Sequence, residues 1–91
     1  MTYNLKFHPD ALDEWERLSK SDKEYFKNKL RERLENPHIP KSRLSGGQNL
    51  YKIKRKRPPL RLTYHVNNND FSNPDNNTFI VQGARLTHFN G

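Results

Sequence analysis

Two runs of strict alternation, joined by a proline turn, restrict this chain more than any other feature. In Leu50–Lys56, Tyr51, Ile53 and Arg55 fall on one face and Lys52, Lys54 and Lys56 on the other. In Leu60–Val66, Leu60, Leu62, Tyr64 and Val66 make an apolar face, with Arg61, Thr63 and His65 opposite. A period of two is that of a strand with one buried face. Arg57-Pro58-Pro59 is too short for anything but a turn, so the strands are expected to be antiparallel. Lys52, Lys54 and Arg61 then share the outer face of one hairpin, while the inner face needs a cover.

The cover lies upstream. Tyr3, Leu5 and Phe7 alternate with Asn4 and Lys6, which predicts a first strand with one buried face. His8-Pro9-Asp10 stops it and opens a helix, with Asp10, Asp13, Glu14 and Glu16 near its start and Leu12, Trp15 and Leu18 as its apolar face. Ser21-Asp22-Lys23-Glu24 has capping-box form and predicts a second helix to about Glu35, with the stripe Phe26, Leu30 and Leu34. Its other faces, which include Lys27, Lys29, Arg31, Glu32 and Arg33, read as solvated. Asn36-Pro37 ends it, and Pro40 predicts an extended continuation. Ser42–Gln48 is a loop with Gly46-Gly47 as its flexible point, Asn67–Asn77 reads as a mobile turn, and Thr78–Gln82 is a short final strand. The order β-α-α-β-β-β describes an α+β fold with two helices on one face of a mostly antiparallel sheet.

At 91 residues with 31% apolar content, the chain reads as one domain over residues 1–91 with a small core. With no cysteine it has neither a disulfide framework nor a thiolate metal site. The histidines lack metal-like spacing and acidic partners, so neither metal nor cofactor is expected. No phosphate-cradling glycine loop, nucleotide fingerprint or HExxH motif is present. The N-terminus has no apolar h-region and no segment approaches a membrane span, which reads as a soluble cytoplasmic protein without a membrane role.

Charge marks the place for function. Residues 41–66 carry eight Lys or Arg and no acid, while residues 1–40 balance eight bases against eight acids. The whole net charge of +7 is thus matched by the hairpin region and slightly reduced by the tail. A concentrated positive patch attracts a polyanion, and nucleic acid is the commonest one for a small protein. Lys52, Lys54 and Arg61 on one face can grip a phosphate, Arg through a bidentate fork and Lys as a point charge. Cutting RNA needs, in addition, a base for the 2′-OH, stabilisation of a crowded phosphorane-like state and a proton for the leaving 5′ oxygen. Clustered cations disfavour one another's charge, which is how a lysine can become the base. Arg85, just after a strand and a glycine, can reach back to the same phosphate, and His88 is of the residue type suited to proton transfer near neutral pH. His65 shares the Arg61 face as an outer candidate, and His8 and His38 read as structural or incidental.

Seven segments are informative together: Tyr3-Asn4-Leu5-Lys6-Phe7, Ala11–Leu18, Lys29–Pro37, Leu44-Ser45-Gly46, Tyr51-Lys52-Ile53-Lys54, Leu60-Arg61-Leu62-Thr63-Tyr64 and Gly83-Ala84-Arg85. Through them the chain resembles, along most of its length, the RelE family of bacterial type II toxins. The resemblance implies a metal-independent endoribonuclease that cuts mRNA in the ribosomal A site by 2′-OH attack. It also implies a cognate antitoxin, 70S ribosome and mRNA as partners, and a toxin–antitoxin complex that can bind operator DNA through the antitoxin. By position, Lys52, Lys54, Arg61 and Arg85 match the family's basic catalytic residues, with Lys54 as general base, Lys52 and Arg61 stabilising the transition state and Arg85 as phosphate clamp or proton donor. The family's namesake has a tyrosine that stacks on the mRNA base; the corresponding position here is Gly91. The tail instead carries Thr87-His88-Phe89, similar to the His-bearing ends of the YoeB and YafQ branches, which implies proton transfer by His88 and base stacking by Phe89. Lys41, Arg43, Arg55, Lys56 and Arg57 are then docking charges for ribosomal RNA. Two other readings stay open: a ParE-like gyrase inhibitor and a non-catalytic RNA- or ribosome-binding module.

Overall fold

In the computed structural model the sheet that holds the hairpin has the order β1-β4-β3-β2. The structure describes residues 3–44, 49–57, 59–67 and 77–86, with Leu86 described by its backbone alone. The elements are β1 (Asn4–Phe7), α1 (Pro9–Glu16), α2 (Lys20–Glu35), a 3-10 turn at Pro40–Ser42, β2 (Leu50–Arg55), β3 (Leu60–Asn67) and β4 (Thr78–Leu86). β2 and β4 run antiparallel to β3, and β1 runs parallel to β4. This is the expected α+β order on a mostly antiparallel sheet.

The inner face of the sheet and the helices make one core. Tyr51, Ile53, Leu60, Leu62, Tyr64, Val66, Phe79, Val81 and Ala84 meet Ala11, Trp15, Phe26 and Leu30. Tyr64 stands at its centre, stacked between Tyr51 at 5.5 Å and Phe79 at 4.1 Å. The alternation of Leu60–Val66 is therefore the inside–outside pattern of the fold. Asn49 and Leu50, where β2 begins, sit beside the far end of β3: Asn49 adopts φ 60°, which Asn tolerates better than most residues, and its carbonyl accepts from the Val66 N–H.

Several local expectations are corrected. The buried pair of α1 is Ala11 and Trp15, one turn apart, while Leu12 and Leu5 are exposed. Because β1 lies at the edge of the sheet, its alternation is only partly buried, through Tyr3 and Phe7. The cap of α2 is Ser19, not Ser21: its Oγ accepts from the Asp22 N–H at 3.2 Å. Starting there places Asp22 on the buried side of the helix, in line with Phe26 and Leu30, where Arg55 reaches it. Pro40 begins a 3-10 turn rather than an extended segment, its missing N–H costing nothing at a first helical position. β4 runs to Leu86, past the expected end at Gln82, because an irregularity opposite Thr63 and Tyr64 absorbs Gln82 and restores pairing at Gly83. The glycine pair at 46–47 and most of the Asn-rich turn lie outside the described residues.

Candidate active site

The register of the sheet builds a row of cations. Lys54 pairs with Arg61 across β2 and β3, and Arg61 pairs with Arg85 across β3 and β4. With neighbouring strands roughly 5 Å apart, the outer two Cα atoms of this row lie about 10 Å from each other. Lys52, two residues from Lys54, occupies the adjoining row opposite Thr63, which in turn faces Gly83. Lys54 and Arg85 are exposed, and Lys52 and Arg61 are half-buried. Four cations from three strands thus share the face of the sheet opposite the helices. The sequence alternation placed three of them there; Arg85 joins them because β4 is longer than expected.

Helix side chains hold the strands that carry these residues. β2 is an edge strand, and two of its carbonyls are taken by α2: Arg33 Nη1 donates to Lys52 O at 3.2 Å and Tyr25 Oη donates to Lys54 O at 3.0 Å. Arg33 also donates to Tyr64 Oη at 2.9 Å and Ser42 Oγ at 3.2 Å, and Tyr64 Oη donates to Pro37 O at 2.8 Å. Arg33 is therefore not part of a solvated face; it ties α2, β3 and the 3-10 turn to the backbone of Lys52. Burial pushes the Tyr64 phenol above its ordinary value of 10.0, against the opposing influence of Arg33.

On the other side, β1 pairs with β4 only as far as Val81, and α1 starts two residues after β1 ends. The exposed backbone edge of β4 then meets α1. Glu14 Oε1 accepts from the Ala84 N–H at 3.0 Å, and Glu14 Oε2 accepts from Arg85 Nε at 2.6 Å. The sequence pattern marks Glu14 only as one of the acids near a helix start. A contact spanning 71 positions leaves no local signal.

The expected docking cations divide. Lys41 and Arg43 are exposed on the segment that runs beside β2, where Arg43 bridges Tyr51 and Leu44 N–H reaches Leu50 O. Lys56 and Arg57 are exposed in the hairpin turn. Arg55 differs: it lies on the helix side, its Nη1 2.6 Å from Asp22 Oδ1, and its guanidinium 4.8 Å from the Tyr25 ring. Its charge is committed to the fold, a correction to its place among the docking charges. His88 and Phe89 lie outside the described residues. His65 is on the Arg61 face but four positions away, roughly 13 Å along the strand, beside Leu50 and Ile80. His8 caps α1, its Nδ1 accepting from the Asp10 N–H, and His38 packs edge-on between Tyr3 and Tyr51. Among the described residues no group of three or more His, Cys, Asp or Glu could hold a metal, and no helix is long and apolar enough to cross a membrane.

Comparison with known proteins agrees with this fold. The family model described as the ParE toxin of the type II toxin–antitoxin system parDE matches residues 5–81, which stops short of Arg85. A putative RelE-like toxin protein of Escherichia coli is 44% identical over 66 residues, 72% of this chain and 70% of that protein. The mRNA interferase toxin RelE of Escherichia coli K12 is 42% identical over 66 residues, with the same coverage. Among solved structures, a chain of the intact E. coli RelBE toxin–antitoxin complex matches with a TM-score of 0.84 at 32% identity, covering 96% of this chain and 99% of that one. Two helices on a mostly antiparallel sheet, a basic outer face and these relatives agree: the chain belongs to the RelE/ParE family of type II toxins, with RelE among its relatives.

Proposed function

We propose that the protein is the toxin of a type II toxin–antitoxin pair, an endoribonuclease that cuts mRNA in the ribosomal A site and so stops translation. The observation that carries this reading is the row Lys54–Arg61–Arg85 with Lys52 beside it, on a face the helices leave open. Relatives named as mRNA interferases support it.

The chemistry follows from the groups present. Lys54, in its neutral form, takes the proton of the ribose 2′-OH. The 2′ oxygen attacks phosphorus, the bond to the 5′ oxygen breaks, and the products are a 2′,3′-cyclic phosphate and a 5′-OH. Arg61 and Lys52 neutralise the charge gathering on the non-bridging oxygens, and Arg85 clamps the same phosphate. His88 gives the proton to the leaving oxygen and Phe89 stacks on a base. RNA supplies its own nucleophile, so the reaction draws on neither metal nor cofactor. Lys41, Arg43, Lys56 and Arg57 dock the protein on ribosomal RNA. A cognate antitoxin covers the toxin and links it to operator DNA. The site of action is the cytoplasm, and residues 1–91 act as one domain.

A second reading is favoured by one observation, the match to a ParE family model: a gyrase inhibitor on the same fold. One experiment separates them. The protein is added to a translating extract and mRNA 5′ ends are mapped by primer extension. New ends at codon positions, absent with Lys54→Ala and reduced about 10²-fold or more with His88→Ala, are expected. Arrested translation without cuts would mean a non-catalytic ribosome binder, and gyrase-dependent DNA breaks without cuts would favour the ParE-like reading.

A further inference from the structure

The open edge of β4 is closed by a carboxylate placed against the phosphate-handling arginine. Glu14 stands one position before Trp15, whose burial with Ala11 fixes the face that α1 turns to the core. One carboxylate oxygen takes the Ala84 N–H and the other takes Arg85 Nε, so a single half-buried side chain fixes both the strand and the guanidinium it carries. The contact is to Nε, the edge of the guanidinium nearest its own stem. The two terminal amino groups, with their four N–H donors, lie outside that contact and form the pair of donors that suits a phosphate. Arg85 keeps 71% of its side chain exposed while Glu14 keeps 25%, so the anchor is sheltered and the arginine is presented.

Gly83 belongs to the same arrangement. A Cβ at this position would come within 3.2 Å of Glu14 Oε1, and within 3.7 Å of Arg85 Nε and of Thr63 Oγ1. A side chain at this position would push the Glu14 carboxylate back by a few tenths of an ångström.

We infer that Glu14, with the space left by Gly83, is the positioning residue for Arg85: it holds the guanidinium by Nε so that its terminal amino groups meet the scissile phosphate. The inference rests on the proposed reading of Arg85 as a phosphate clamp. A free arginine stem samples many rotamers, and holding it in one of them removes an ordering cost that is otherwise met in the transition state.

Two measurements decide it. The first needs no substrate. In the free protein the Arg85 Nε–H resonance should be shifted and protected from solvent exchange; Glu14→Ala should return it to the position of exposed arginines, and Glu14→Gln, which keeps an acceptor oxygen, should hold it part-way. An Arg85 resonance identical in wild type and Glu14→Ala overturns the inference. The second uses programmed ribosomes. Glu14→Ala should lower kcat by roughly 10- to 100-fold with KM within about twofold, Glu14→Gln should recover part of the loss, and Gly83→Ala should show a smaller loss of the same kind. The double variant Glu14→Ala/Arg85→Ala should be no slower than Arg85→Ala alone, since the two act as one unit. Fully additive losses would mean that Glu14 serves only the fold, and that also overturns it. If wild type cuts no mRNA while the Arg85 resonance responds to Glu14→Ala as expected, the proposed function fails and the placement of Arg85 stands.

Discussion

Two arginine–carboxylate pairs in this protein have the same contact distance and opposite surroundings. Arg55 meets Asp22, and Arg85 meets Glu14, each at 2.6 Å. In the first pair both partners are largely covered, with side chains 21% and 12% exposed, and the Tyr25 ring lies against the guanidinium. In the second, the arginine is 71% exposed. Coulombic attraction is similar in kind, but the cost of separation is not. Exposed charges regain water when parted, whereas covered ones are left without it. The first pair therefore belongs to stability, and the second leaves the terminal amino groups of its arginine open to a phosphate while Glu14 holds Nε.

The largest expected effect is on the exposed side. Arg85→Ala should reduce mRNA cleavage on ribosomes by about 10²- to 10³-fold, the usual range for losing one preorganised donor to a transition-state anion. Its thermal midpoint should move by no more than a few degrees, since exposed pairs contribute at most about 1 kcal/mol. A large fall in midpoint with unchanged cleavage would reverse the roles assigned to the two pairs.

Asp22→Ala is the converse. It leaves the Arg55 guanidinium facing the core side of α2 without its anion, and should cost about 2 kcal/mol, less than the roughly 3–5 kcal/mol for a fully buried pair because both partners keep some contact with water. For a domain of this size that lowers the thermal midpoint by roughly 10 °C. The fraction that stays folded should cut mRNA at the wild-type rate. Loss of cleavage out of proportion to loss of folded protein would show that Arg55 has a part in the site after all.

The contrast between the pairs also explains what could be read from the sequence. Hairpin alternation is local and repeats over several residues, so the inward set Leu60, Leu62, Tyr64 and Val66 and the outward set Lys52, Lys54 and Arg61 were both legible. Period three at Leu12, Trp15 and Leu18 was not enough to orient α1, because a helix of eight residues buries only Ala11 and Trp15 and the small alanine carries little hydrophobic signal. Ser19 and Ser21 are chemically equal caps, and only the gain of bringing Asp22 onto Arg55 separates them. Arg33 looks like any other cation on a charged helix until Tyr64 is known to lie beneath it. Glu14 and Arg85 are joined by topology alone: a parallel strand that ends early and a helix that takes over its edge.

Arg33 lies between the two extremes, a half-buried cation that donates to the neutral oxygens of Lys52, Tyr64 and Ser42. Tyr64→Phe tests that arrangement, removing the hydroxyl that accepts from Arg33 and donates to Pro37 O. The expected loss is about 1 kcal/mol, since the buried Pro37 carbonyl loses its donor while the ring stack survives. The sign of the pH effect follows from the raised phenol. A group whose value is higher in the fold than the unfolded 10.0 contributes in full below that pH, and its contribution disappears as pH climbs through the folded value. Urea unfolding at rising alkaline pH should show this decline in wild type and a shallower one in Tyr64→Phe; parallel curves would remove Tyr64 from the account.

The smallest effect is expected where cations are presented with no role in the fold. Lys56 and Arg57 are exposed in the hairpin turn at the end of the strand that carries Lys54. If they dock on ribosomal RNA, their contribution is counterion release, which depends on salt and not on sequence. Replacing both with Ala should leave the thermal midpoint unchanged and lower the slope of log affinity against log salt by about 1 to 2, one phosphate contact for each. The same measurement on Arg55→Met should leave the slope alone and lower the midpoint. That difference would divide one run of four consecutive cations, Lys54 to Arg57, into a reacting charge, a folding charge and two docking charges. An equal loss of slope from Arg55 and from the turn would mean that the run acts as a single patch, and that the covered side of the hairpin is less covered in solution than its contact with Asp22 implies.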